Sequence, residues 1–236
     1  AALTERAFVI HVSPYLEHGA LVTLLGEAGG RMTAVSRKGG MSYPEFTECE
    51  AVLREGRSMP ALRELEPSEP FSELRGTRLF CGMYMNELVF RLTDDREPCD
   101  GLFYAYAEAL SVIRRGGASD VAPALRGFES ELLGSTGYGV DFLSDSDGDP
   151  VEEGRRYRFS PDAGFTVSAS GQGFSGGDLI AAAEGDFSSK SALRAAREVF
   201  RAAIDARLGG HQLVSRNLYA RFLAGRKNDR AYLSRR

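Results

Sequence analysis

Apolar residues change their period along this chain. Up to residue 66 they come in short runs of strand character: Ala7 to Val12, Ala20 to Leu25, Arg31 to Ser36, Thr47 to Arg54 and Ala61 to Glu66. In the third run Met32 and Ala34 alternate with Arg31, Thr33 and Val35, the period-two pattern of a half-buried strand. Gly29-Gly30 predicts a tight hairpin into that run, Ser13-Pro14 a stop after the first, and Glu55-Gly56 and Pro67 stops after the last two. Five short strands in about seventy residues predict a small barrel of the OB or SH3 type, or else an open sheet covered by the helices that follow.

Past Pro70 the spacing becomes helical. Leu79, Phe80, Met83, Tyr84, Glu87, Leu88 and Phe90 give one face of a helix within Phe71–Leu92, and Asp94-Asp95 breaks it. Asp100 is placed to cap a second helix reaching about Arg115, with Leu102, Phe103, Tyr106, Leu110 and Ile113 inward and Gly116-Gly117 as its stop. A third opens at Pro123, carries Leu125, Phe128, Leu132 and Leu133 on one stripe, and closes on Gly134, Gly137 and Gly139 around Tyr138, glycines suited to positive φ. Three helices on short loops predict an antiparallel bundle. Residues 141–175 interrupt them with an acidic turn, Asp145 to Pro150, and two short strands, Arg156–Phe159 and Phe165–Ser168. Helices resume near Gly177 and from Ser191 to Leu208. Ser215 is placed to cap a last one through Leu223, leaving a basic tail from Gly225.

The fold class is therefore α+β: an N-terminal barrel over residues 1–70, then a mainly helical domain over 71–236 with a small β insertion at about 141–175. No run of eighteen apolar residues suggests a membrane span, and the N-terminus lacks a signal-peptide layout. Cys49, Cys81 and Cys99 are odd in number, widely spaced and without a CxxC pair, which points to a reduced, cytoplasmic chain with core thiols. Three scattered histidines give no zinc cluster. Asp145, Asp147 and Asp149 alternate like calcium ligands, but Pro150 stands where an EF-hand loop needs glycine, so a solvated turn is expected. No nucleophile elbow, P-loop lysine motif, HExxH or dinucleotide fingerprint is present, and His11 and His18 lack a partner that would orient a base.

The net charge of −4 hides an uneven distribution: −3 over residues 1–70, −10 over 71–189 and +9 over 190–236. The basic C-terminal segment is a candidate for an anionic partner, or equally a solvated helix face with a charged tail. In the barrel, Arg31, Arg37, Lys38, Arg54 and Arg57 are placed for phosphate contacts, against the competing reading of ordinary surface charge on an acidic segment. Arg126 lies beside Leu125 and Phe128. A semi-exposed guanidinium there suits a carboxylate with an aromatic residue, but its chemistry alone favours an ion pair with Glu129 or Glu131.

Several short pieces, in order along nearly the whole chain, resemble the RecO family of bacterial DNA repair proteins. They are Arg6-Ala-Phe-Val-Ile-His11, Gly30-Arg31 through Lys38-Gly39, Gly82-Met-Tyr-Met-Asn-Glu-Leu88 and Pro123-Ala-Leu-Arg126 with Phe128-Glu129 and Leu132-Leu-Gly134. Gly137-Tyr-Gly-Val140, Leu208-Gly-Gly210 and Ser215-Arg216 complete the set. The resemblance implies an OB barrel followed by a helical domain with a strand-and-turn insertion. It implies a cytoplasmic, nucleoid-associated, non-catalytic mediator, monomeric on its own. Such a protein binds single- and double-stranded DNA, anneals complementary strands and works with RecR to help RecA displace single-stranded DNA-binding protein (SSB).

It also implies a pocket for the acidic SSB tail, ending in Phe-carboxylate, to which the arginine matching Arg126 contributes, with Leu125, Tyr104 and Tyr106 as neighbours. DNA contacts are expected from Arg31, Arg37, Lys38, Arg54 and Arg57, helped by Arg216, Arg226, Lys227 and Arg230. Many members hold zinc through four cysteines in the insertion. This chain has no cysteine after Cys99, so no metal and no cofactor are expected. Relatives carry a longer, more basic loop where Lys38 to Phe46 stands; if that loop is truly short here, the C-terminal segment takes more of the attraction for DNA. The competing function is a protein-interaction scaffold with no functional DNA surface.

Overall fold

The computed structural model describes residues 2–37, 42–70, 73–99 and 101–233, with side chains of the last helix described as far as residue 225. The chain divides into two compact units, Ala1–Leu110 with His211–Arg236, and Ser111–Gly210. The second unit is thus an insertion in the sequence of the first.

Unit 1 begins with β1 (Ala2–Tyr15), β2 (Gly19–Gly26), β3 (Gly30–Ser36), β4 (Glu48–Arg54) and β5 (Ala61–Pro67). They close into a barrel in the order β1-β2-β3-β5-β4, the five-stranded Greek-key arrangement of OB folds. The first half of β1 pairs with β4 and the second half with β2. This double duty makes β1 twice as long as the apolar run predicts. Pro14 does not stop the strand: β1 keeps pairing with β2 as far as Tyr15, with Pro14 opposite Ala20, while past Phe8 its other edge carries the Val9–Glu45 bridge in place of β4. Ala7, Phe8, Val9 and Ile10 are all buried, the mark of a strand covered on both faces. Ala7 and Val9 join Val22, Leu24, Met32, Ala34, Leu53 and Leu62 inside the barrel. Phe8 points the other way, its ring 5.2 Å from Phe103 and 4.8 Å from Tyr106.

Three helical segments complete the unit: α1 (Thr77–Leu92), the first part of α2 (Leu102–Arg115) and α6 (Val214–Leu233). Within the unit α1 packs against α6, a pairing the succession of helices does not predict, with Phe80 5.6 Å from Tyr219 and 5.0 Å from Phe222. Nor does Ser215 act as the expected cap. The N-terminus of α6 is instead capped by Glu87 of α1, whose carboxylate accepts the Val214 and Ser215 amide hydrogens, each at 2.9 Å, and the Ser215 hydroxyl at 2.7 Å. Next to it, Asn86 accepts the buried Tyr106 hydroxyl at 2.7 Å. The last helix does not stop at Leu223; its backbone stays helical through Gly225 to Leu233. The expected cap at Asp100 and the start of the first helix at Phe71 lie outside the described residues; α1 as observed begins at Thr77. Cys49 is buried in β4, and burial, with Glu48 adding to it, pushes its thiol up to about 11.

Unit 2 holds α3 (Val121–Ser135), β6 (Arg156–Ser160), β7 (Gly164–Val167), β8 (Phe174–Ser175), α4 (Gly176–Ala183) and α5 (Lys190–Arg207). Helix α5 packs against α3 and α4, and the short strands form a sheet in the order β7-β6-β8. Of the three glycines that close α3, only Gly137 takes positive φ, at 80°. Its N–H meets Gly134 O at 3.1 Å and that of Tyr138 meets Leu133 O at 2.8 Å, a Schellman stop; Gly134 itself is helical. The two-residue β8 escaped prediction because it is too short to show a period. Among the described residues no helix is long and apolar enough to cross a membrane.

Burial works against ionisation of Glu87, but the hydrogen bonds from Ser215, Val214 and Arg91 outweigh it and hold the carboxyl below its ordinary value. A depressed native pKa adds stability above the unfolded-state carboxyl pKa, and that stability is lost as pH falls through the native value. Glu87→Gln is expected to destabilise the chain by about 1–2 kcal/mol at neutral pH. The difference in urea midpoint between wild type and variant should shrink on acidification.

Candidate nucleic-acid interface and buried arginine site

The register of the barrel decides where its arginines gather. Parallel pairing sets Val35 of β3 against Ala61 of β5, and Ala61 in turn lies opposite Arg54 of β4. Arg54, Arg57 in the β4–β5 connection and Arg37 just beyond β3 therefore share one end of the barrel, and all three are exposed. Arg63, exposed on β5 two residues past Ala61, belongs to the same end. So does Arg96, whose guanidinium donates to Ser58 O at 3.4 Å. Neither was singled out from the sequence. Arg63 sits in a strand rich in glutamate, and Arg96 reaches the barrel from the segment after α1, a long-range approach without a local signal. Glu55 and Asp95 stand at this end too, so it is arginine-rich rather than purely cationic.

Arg31 is used differently. Its guanidinium donates to Thr93 O at 2.9 and 3.1 Å and to Thr93 Oγ1 at 3.0 Å, and lies 3.6 Å from Asp95. Thr33 N–H donates to Asp95 Oδ1 at 3.0 Å and Arg96 N–H to Arg31 O at 2.7 Å. Residues 93–96 thus fill the edge of β3 that β5 reaches only at Val35 and Ser36. Arg31 fastens that plug, with 14% of its side chain exposed, and is withdrawn from the DNA-contact set. Arg216 is half-buried on α6, 5.5 Å from the Tyr84 ring. Lys38 lies outside the described residues, as do the side chains of Arg226, Lys227 and Arg230.

In unit 2, Arg126 is buried rather than semi-exposed. It lies on the inward stripe of α3, and its Nη2 donates to Glu129 Oε1 at 2.7 Å, both side chains being more than nine-tenths buried. The ion pair expected from its chemistry is present, but inside the protein. Arg126 Nε is buried without an acceptor among the described residues. Leu125 beside it is half-buried. The other two aromatic candidates belong to unit 1. Tyr106 is wholly buried against Phe8 and is corrected to a packing residue. Tyr104 is 56% exposed, and the hydrogen bond its hydroxyl makes to Glu27 raises its pKa.

The insertion does not fit zinc. It contains neither cysteine nor histidine, and no cluster of three potential ligands occurs among the described residues. Asp145 Oδ1 instead accepts the amide hydrogens of Asp147 and Asp149, each at 3.0 Å, so the acidic turn is closed by its own backbone. Phe165 packs 5.5 Å from Phe142 and 5.0 Å from Phe159, and Phe142 5.4 Å from Phe200, which braces the insertion with aromatic rings.

The described residues thus form an OB-like α+β protein: a closed five-stranded barrel with an arginine-rich end, followed by helices and a small sheet. Comparison with known proteins gives the family. The family described as "Recombination protein O C terminal" matches residues 74–217. A DNA repair protein RecO of Stutzerimonas stutzeri is 38% identical over 93% of this chain and 94% of its own length. That of Sodalis glossinidius is 36% identical over 93% and 88%, and that of Vibrio parahaemolyticus 35% over 96% of each. The chain belongs to the RecO family, and its role lies in DNA repair and recombination.

Removing one partner of a buried ion pair leaves the other charge desolvated. Arg126→Ala is expected to cost roughly 3–5 kcal/mol, read as a lower urea midpoint, whereas Arg126→Met combined with Glu129→Leu should recover most of that loss.

Proposed function

We propose that this chain is a non-catalytic recombination mediator that binds single- and double-stranded DNA through the arginine-rich end of its barrel and anneals complementary strands. The observation that carries this reading is the convergence of Arg37, Arg54, Arg57, Arg63 and Arg96 around the β4–β5 connection. Strand faces and loops of this kind are where OB folds hold oligonucleotides. Side chains that reach phosphates by charge bind without regard to sequence, as annealing requires. Arg216, Arg226, Lys227 and Arg230 on α6, with Lys38, add to the attraction.

Family membership supports the partners: the SSB C-terminal tail, RecR and, through them, RecA, in a cytoplasmic, nucleoid-associated setting, with the chain monomeric when alone. For the tail, Arg126 and Leu125 of unit 2 remain the preferred residues. A terminal carboxylate could satisfy the Arg126 Nε that has no acceptor among the described residues.

Phosphate-led binding carries a steep salt dependence. With five contacts at a slope of about −0.7 each, affinity for single-stranded DNA should fall about 100-fold between about 50 and 200 mM salt. Arg54→Ala with Arg57→Ala should flatten that slope by about 1.4. Fluorescence anisotropy with a labelled oligonucleotide reads both; a flat salt response in wild type would leave the interaction scaffold as the function.

The Arg126→Met, Glu129→Leu double variant, which preserves packing, should bind a labelled SSB tail peptide about tenfold or more weakly while keeping its affinity for DNA. Equal loss of both ligands would mean that the sites are not separate.

A further inference from the structure

We propose that the row of carboxylates on the β1–β4–β5 face of the barrel, toward the β2–β3 hairpin, is a docking surface for a basic polypeptide segment of a partner protein. Unlike the DNA reading, it concerns carboxylates. On the outer face of β1, β4 and β5 the exposed positions are Ala2, Thr4, Arg6, Glu50, Arg54, Glu64 and Glu66, with Glu48 half-buried beside them, so the carboxylates form a row that ends at Arg54. The register places Arg6 opposite Glu50 and Glu50 opposite Glu66, while Val52 separates Thr4 from Glu64. Arg6 does not neutralise the row. Its guanidinium is committed to Glu48 at 2.7 Å and Glu27 at 3.0 Å. Glu50, Glu64 and Glu66 make no side-chain hydrogen bond or ion pair among the described residues. Like charges directly opposite on neighbouring strands destabilise a sheet. A rule broken at an exposed position, where a neutral residue would fit, marks a surface kept for a purpose other than folding.

A cavity of about 430 Å³ opens beside this row, with Leu3, Glu5, Arg6, Glu27, Gly29 and Glu50 in its walls; Arg6 there is held by Glu27 and Glu48, which leaves Glu5 and Glu50 as its uncompensated carboxylates. Glu5 supplies an observation independent of the exposed row. The residue is buried, with 7% of its surface exposed, and Oε1 accepts the Ala28 and Gly29 amide hydrogens at 2.8 and 2.7 Å. Oε2 is buried and accepts nothing among the described residues. A carboxylate oxygen held from water without a donor is costly, and a cation brought to it relieves that cost. Leu3, 56% exposed, offers apolar contact to an aliphatic stem. An arginine or lysine side chain matches both features: its stem lies over Leu3 and its head sits between Glu5 and Glu50. Further basic residues of the same segment match Glu64 and Glu66. The sign of this face repels phosphate, so the occupant is protein and the arginine-rich end stays open to DNA.

The test uses the full chain and a labelled peptide alternating arginine with leucine, followed by anisotropy. Glu50→Gln with Glu66→Gln removes the like-charge pair, so the variant folds at least as stably as wild type. It should bind the peptide about tenfold more weakly and single-stranded DNA no more weakly. Glu153→Gln with Asp162→Asn removes the same charge from exposed positions of unit 2 and should change peptide binding by less than about twofold. The proposal is overturned if wild type does not bind the peptide, if the barrel variant binds it as well as wild type does, or if both variants lose affinity equally.

Discussion

The Glu87 carboxylate is the point on which unit 1 depends. The chain leaves the barrel through α1 and α2, traverses the whole of unit 2, and comes back at His211 with a new helix to start. A helix N-terminus brings amide hydrogens without intrahelical partners and a partial positive charge. Glu87 meets both needs, and it does so from α1, more than a hundred residues earlier in the chain. The returning segment is therefore fixed in register as well as attracted: a shift of one residue would carry the Ser215 hydroxyl away from Oε2. Asn86, one position before, holds Tyr106 of α2. Adjacent residues of one helix turn thus anchor the two other helices of the unit. Asn86, Glu87 and Ser215 all fall within the short pieces that resemble the RecO family.

Charge separation is the second organising fact. Counted by segment, the barrel is acidic and looks like a poor partner for nucleic acid. Folding sorts those charges. The β3–β5 pairing collects arginines around the β4–β5 connection, while the β1–β4–β5 register collects glutamates toward the β2–β3 hairpin. A net count over a sequence window averages away this polarity, because neighbours along a strand point to opposite faces and the ends of distant strands meet. What a phosphate encounters is the local field at one end, not the sum over seventy residues.

The sequence made the strands legible where period two was clean, and the helices where an apolar stripe met a glycine stop. It failed where one element serves two neighbours. β1 runs on past Pro14 because it changes partners midway, and no local pattern records a change of partner. The order of helices in space was likewise hidden: α1 and α6 are joined through Glu87, a charged residue that fell on the apolar stripe of its helix without an evident reason. Arg31 shows the same limit at a candidate site. Its neighbours suggested a phosphate contact, but the deciding partner, Thr93, lies 62 residues away.

Arg126 shows how a residue-level reading and a family-level reading can both be needed. Its chemistry pointed to an ion pair three residues along the helix, and that pair exists. Burial changes what the pair means. At the surface such a bridge is weak and interchangeable. Inside, desolvation makes each hydrogen bond count for more, and a guanidinium has five donors in a fixed fork. Glu129 occupies one edge and orients the plane, while Nε still has no acceptor among the described residues. Pairing with Glu129 is therefore compatible with the carboxylate recognition proposed for Arg126: it orients the guanidinium and leaves Nε open to an acceptor.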